Sequence, residues 1–156
     1  MKKTFIAIAC ALVLFSAPVR AQEAETKTVL LEMIGGTAAS TLYFSYKITK
    51  QNIKESLASP TNDSIKQELL VTKGFVEYLA KDYKGKTANL TIDDVEKTTF
   101  REIGELFQNC GQAIQAHLDY LEKKTGSSAT KYLAPLNSMK RGVLNLLEWT
   151  DEDGLL

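Results

Sequence analysis

Residues 100–121 read FREIGELFQNCGQAIQAHLDYL, and this stretch decides the fold class. Phe100, Ile103, Phe107, Cys110, Ile114, the pair His117/Leu118 and Leu121 recur at alternating steps of three and four. That spacing puts them on one face of an α-helix, whereas a strand would alternate every second residue. Just upstream, Thr91-Ile92-Asp93-Asp94 offers an N-cap and places acids at the positive end of the helix dipole. Downstream, Lys123 and Lys124 suit the negative end, and Gly126 is positioned as the C-cap residue.

The same period appears on either side. Upstream, Ser64-Ile65-Lys66-Gln67 reads as a capping box opening a helix. Its stripe is Ile65, Leu69, Thr72, Val76, Leu79 and Tyr83, and it is expected to stop at Lys84-Gly85. Before it, Ser59-Pro60-Thr61-Asn62-Asp63 is turn chemistry throughout. A first helix precedes that turn over about Thr26 to Ala58, with Leu31, Ile34, Ala38, Leu42, Ser45/Tyr46, Thr49 and Ile53 inward. A fourth opens near Ser127 or Ser128 and carries Leu133, Leu136, Met139, Val143 and Leu146/Leu147, with Pro135 able to delay its start. Trp149 marks its end.

Short connections make neighbouring helices antiparallel, so the expected fold is all-α, an up-down-up-down four-helix bundle. The first helix, at roughly 50 Å, should be longer than the second and fourth. Composition agrees with a single helical domain: 156 residues, 44% hydrophobic and 24% charged, is enough to build one core and too little for two domains.

Residues 1–21 have the grammar of a cleaved signal peptide. Lys2 and Lys3 precede an uncharged apolar run from Phe5 to Phe15, Pro18 follows, and Val19-Arg20-Ala21 places small residues at the −3 and −1 positions. The opening MKKTFIAIA resembles signal peptides of Gram-negative envelope proteins, which implies cleavage after Ala21 and a periplasmic or secreted location. Cys10 lies inside the apolar run, where a lipid-modified cysteine does not belong. The mature domain would span 22–150, with an acidic tail over 151–156. Residues 22–156 together would carry about three net negative charges, since Lys2, Lys3 and Arg20 leave with the signal. That balance argues against nucleic acid, whose phosphates need clustered Lys and Arg, and gives no support to membrane-surface binding. One thiol, Cys110, remains, so no internal disulfide can form.

The most unusual local sequence is Gly35-Gly36-Thr37-Ala38-Ala39-Ser40-Thr41. Two glycines cost a helix about 1 kcal/mol each relative to alanine. The run is read as a face for close helix approach, a kink, or a groove admitting a ligand or partner helix. Thr28 to Tyr46 holds one charge, Glu32, but its threonines and serines make it too polar for a membrane span. Tyr43 and Tyr78 fall at similar depth to Cys110, so the expected groove comprises Gly35, Gly36, Ala39, Tyr43 and Tyr78. Aromatics at helical spacing, including Phe44, Phe75, Tyr83, Phe100 and Phe107, are read chiefly as core.

Known chemistry finds little purchase. His117, the sole histidine, is placed at the edge of the core. There is no Cys-x-x-Cys-His, and Met33 and His117 fall at opposite ends of parallel helices, so haem is not expected. Di-iron sites need Glu-x-x-His, and residue 114 is Ile. Glu102 and Glu105 flank the third stripe as a solvated face. Asp151-Glu152-Asp153-Gly154 lacks the twelve residues of a calcium loop. No metal or cofactor is expected. The sequence therefore points to a non-enzymatic exported protein acting through a protein-binding surface or groove, with an envelope protein as partner. The alternative is a bundle binding a small ligand or cofactor between the Gly35–Thr41 stretch and the aromatics.

Overall fold

The computed structural model describes residues 19–89 and 94–148, and its described residues form four helices and no strand. These are α1 (Val19–Ala58), α2 (Asp63–Asn89), α3 (Asp94–Leu121) and α4 (Leu133–Leu147). The signal segment up to Pro18, the cap at Thr91–Asp93, Trp149 and the acidic tail lie outside the described residues. The chain divides into two units, 1–35 and 36–156. The first contributes the opening half of α1; the second holds the rest of α1 and the other three helices. No described helix is long and apolar enough to cross a membrane.

The α1–α2 connection follows from its turn residues. Pro60 and Thr61 occupy the centre of a turn closed by the Asn62 amide donating to the Ser59 carbonyl at 3.0 Å. The Asn62 side-chain oxygen then accepts from the amides of Ser64 at 3.0 Å and Ile65 at 3.4 Å. Asn62 is thus the N-cap, and Ser64 lies inside the helix rather than capping it, because the asparagine two residues earlier already takes the orphan amides. At its other end α2 runs through Gly85 to Asn89. A lone glycine costs a helix about 1 kcal/mol, and Lys86-Thr87-Ala88 contains no proline to enforce a stop.

α3 also ends differently from the expectation. Lys123 adopts φ 55°, its amide reaches the Tyr120 carbonyl at 3.0 Å, and the Lys124 amide reaches the Asp119 carbonyl at 3.0 Å. This is a Schellman cap built on a lysine. Gly126, at φ 75°, serves the turn beyond it. α4 starts at Leu133, not at Ser127 or Ser128. Pro135 falls in its first turn, where a missing amide hydrogen costs nothing.

Within residues 36–156, α3 is the hub. Its Phe100, Ile103, Phe107, Cys110, Ile114 and Leu118 are buried as the period predicts. Leu42, Leu69, Val76, Met139 and Val143 of the other three helices are fully buried as well. Tyr83 of α2 stacks on Phe100 at 6.0 Å and on Phe107 at 5.7 Å between ring centres. Gly104 lets α2 press in: a methyl there would stand 2.9 Å from Lys84 Cγ and 3.1 Å from the Ala80 carbonyl. Gly142 performs the same service for Leu106, whose terminal carbons occupy the space a methyl would need.

Candidate functional site

The inward face of α1 is not greasy along its length. Ala38 and Leu42 begin it, but Ser45, Thr49, Asn52 and Ser56 continue it at steps of four, three and four, all buried. These side chains meet α3 at two of its core positions. Thr49 Oγ1 lies 3.2 Å from Cys110 Sγ, and the thiol also points at the Ser45 carbonyl at 3.9 Å. One heptad further along both helices, Ser56 Oγ pairs with His117 Nε2. Ser56 has one hydroxyl hydrogen and donates it to the Ile53 carbonyl at 2.8 Å. Its oxygen must therefore accept from the imidazole, so His117 carries its proton on Nε2.

That assignment leaves Nδ1 as a bare acceptor. Among the described residues it is buried without a partner, and so is the Nδ2 donor of Asn52 on the same seam. His117 is completely buried (0% exposed), between Tyr132 at 5.5 Å and Tyr120 at 6.2 Å. The expectation of an edge position for His117 is thereby corrected: it sits at an inward step of the α3 stripe, and Tyr132 comes over it from the turn preceding α4. Burial holds its proton affinity below the usual histidine value. Burial likewise pushes the Cys110 thiol up to about 11, against a smaller opposing effect of the Thr49 bond. A thiol so placed is a poor nucleophile.

Serine hydroxyl and imidazole in contact form the pair used in nucleophilic catalysis; here Ser56 is only 1% exposed. Among the described residues no group of three or more His, Cys, Asp or Glu side chains gathers.

The residues expected to form a groove differ widely in their surroundings. An added Cβ at Gly35 or Gly36 meets nothing within 4 Å, so no neighbour presses on either glycine. Helix α1 runs unbroken through both. Ala39 is buried, Tyr43 is half-buried under the Lys47 ammonium at 5.8 Å, and Tyr78 is 66% exposed. Phe44 and Phe75, expected in the core, are also exposed. The physical reason is directional: on α2 the stripe of Leu69, Val76 and Tyr83 faces inward, and Phe75 and Tyr78 lie well around the helix from it.

What the aromatics form instead is an outward patch. Val71 (73% exposed), Phe75 (50%) and Tyr78 (66%) follow at four and three along α2, and Leu70 borders them. Gly74 sits among them with open space above its backbone. On the α3 side of the same helix, an open trough of about 540 Å³ is floored by Ala80 and Gly111 and edged by Lys73, Lys81, Lys84 and Gln112. Lys73 is engaged there with Glu77 at 2.8 Å. None of the five expected groove residues lines it.

Sequence reasoning missed the polar seam, although its signal was present. Ser45 and Thr49 stand on the expected stripe, and continuing by three and four reaches Asn52 and Ser56. Comparison with known protein families, curated proteins and solved structures finds no match to this chain.

Proposed function

We propose that this chain is an exported, non-enzymatic helical protein that works through a protein-binding surface, and that the outer face of α2 is that surface. The observation that carries the reading is the row of Val71, Phe75 and Tyr78, large side chains held in water along one helix face. Apolar rows of this kind, bordered by charges such as Lys73, Glu77 and Lys81, are what a partner helix or strand covers on binding. Gly74 leaves a gap between the side chains into which a partner's side chain fits. The sealed Ser56–His117 pair supports the non-enzymatic part, since neither group meets solvent.

Residues 1–21 serve as the signal peptide, and the mature domain reaches the periplasm or the medium, where an envelope protein is its partner. Neither nucleic acid nor stable membrane insertion belongs to this reading. The helices run up-down-up-down. Thr49–Cys110 and Ser56–His117 share one offset along α1 and α3, which supports parallel α1 and α3. Ala80–Gly104 and Val76–Gly111 step in opposite senses along α2 and α3, which supports an antiparallel pair.

Crosslinking and pull-down from the native envelope, with Phe75→Lys alongside, tests the surface. One crosslinked protein should dominate, and the charge placed in the apolar row should reduce its capture about tenfold or more without change in helicity. Equal capture by both proteins would rule out the α2 face. A pigment or small molecule co-purifying with the native protein would favour a ligand-binding bundle instead. Mass measurement of the envelope form should give a chain beginning at Gln22.

A further inference from the structure

Apolar seams grip by area, whatever the pH. The seam between α1 and α3 is different, because four of the α1 side chains in it are Ser45, Thr49, Asn52 and Ser56, and α3 answers with Cys110 and His117. Only one group in that set changes charge near neutral pH. We propose that His117 is an acid-sensitive pin: taking up a proton, it opens the α1–α3 seam while the other helices hold together.

The geometry explains why one proton suffices. Neutral His117 donates from Nε2 to Ser56, and Ser56 passes its own hydrogen to the Ile53 carbonyl, so every hydrogen in the chain has an acceptor. A second proton must go to Nδ1, which is buried and has no hydrogen-bond partner among the described residues. The groups set against the ring among the described residues are neutral. They are Ser56 from α1, Tyr120 from α3 itself and Tyr132 from the turn before α4. Among the described residues, burial is what lowers its affinity for the proton. An imidazolium here is a charge without counter-charge, and it is relieved only when the ring reaches water.

α1 is the element whose contact with the ring is polar: beside its buried Leu42, Tyr46 and Ile53, it holds α3 at Thr49 and Ser56 through single hydrogen bonds that water can replace, each worth about 1 kcal/mol net. α2, in contrast, stacks Tyr83 on two α3 phenylalanines and closes over Gly104.

Cys110 reports on the seam from within, since it is completely buried against Thr49. The test measures its reaction with 4,4′-dithiodipyridine on the purified protein from pH 8 to 5, each rate divided by that of the urea-unfolded chain at the same pH. Opening that takes up one proton should become up to about tenfold more frequent per pH unit, beginning near pH 6.5 and levelling off below the folded His117 value. Far-UV circular dichroism should meanwhile keep most of its helical signal. His117→Gln, which can still donate to Ser56 and has no titration, should give a flat profile. Because His117 is the sole histidine, its imidazole proton resonances give its titration without any variant, which covers failure of that variant to fold. Its midpoint should lie below about 6.5 and coincide with the levelling of the Cys110 profile. A normalised rate that stays flat in the unaltered protein overturns the proposal, as does an unchanged rise in His117→Gln. An imidazole midpoint at or above the ordinary value, or helicity lost together with thiol protection, overturns it equally.

Discussion

Gly36 and Gly74 have open space where a methyl would go, whereas Gly104 and Gly142 have Ala80, Lys84 and Leu106 there. Their alanine variants should therefore move stability in opposite directions. Gly36→Ala and Gly74→Ala each gain about 0.5–1 kcal/mol, because alanine restricts the unfolded chain and nothing in the fold resists it. Gly104→Ala and Gly142→Ala each lose about 1–3 kcal/mol through overpacking. Urea unfolding of the four variants distinguishes these cases. Asn52 makes a related point about polarity. Its Nδ2 is buried and unpartnered, so Asn52→Leu should be neutral or stabilising by about 1 kcal/mol in the same assay. Cys110 sets an alkaline limit on stability. The folded thiol holds its proton to about pH 11, well beyond its ordinary value of 9.0, so the native state binds more protons than the unfolded chain in that interval. Its contribution is complete below pH 9 and is lost as the pH climbs toward 11. Cys110→Ala should flatten that part of the decline in urea midpoint between pH 8 and 10.

At the scale of elements, the helix ends give the sharpest expectations. Asn62→Ala removes the oxygen that receives two α2 amides and should cost about 1 kcal/mol. Lys123→Gly should do the reverse, gaining about 0.5–1 kcal/mol, because a residue with a Cβ now occupies the left-handed position of the α3 cap. Thermal melts of the pair should shift in opposite senses. The α3 stripe was legible in residues 100–121, since large apolar residues at steps of three and four leave one choice of buried face. α1 was harder to read. Its inward positions are serine, threonine and asparagine, residues equally at home in water, so periodicity marked Ser45 and Thr49 and lost the trail at Asn52 and Ser56. The cap of α2 was misplaced for a simpler reason: Asn62 and Ser64 are both good capping residues two positions apart, and only backbone direction separates them.

Across the unit formed by residues 36–156, stability should be graded around α3. Native-state hydrogen exchange is expected to find the slowest amides in α3 near Phe107, Cys110 and Ile114, and faster ones in the α1 segment from Ser45 to Ser56, whose contacts with α3 include exchangeable hydrogen bonds. Equal protection of the two would contradict a weaker α1 seam. The sequence by itself determined that the described chain is helical, where the α1–α2 turn falls, and which face of α3 is buried. Those are local matters, governed by hydrophobic period and turn chemistry within a few residues. Only the tertiary structure decided that His117 is sealed and lacks a second partner, that Phe44, Phe75 and Tyr78 stand in water, and that Gly104 and Gly142 take the close contacts while Gly35 and Gly36 do not. A helical period says which side chains share a face. What covers that face, and how nearly, depends on residues sixty positions away, and no local pattern carries that information.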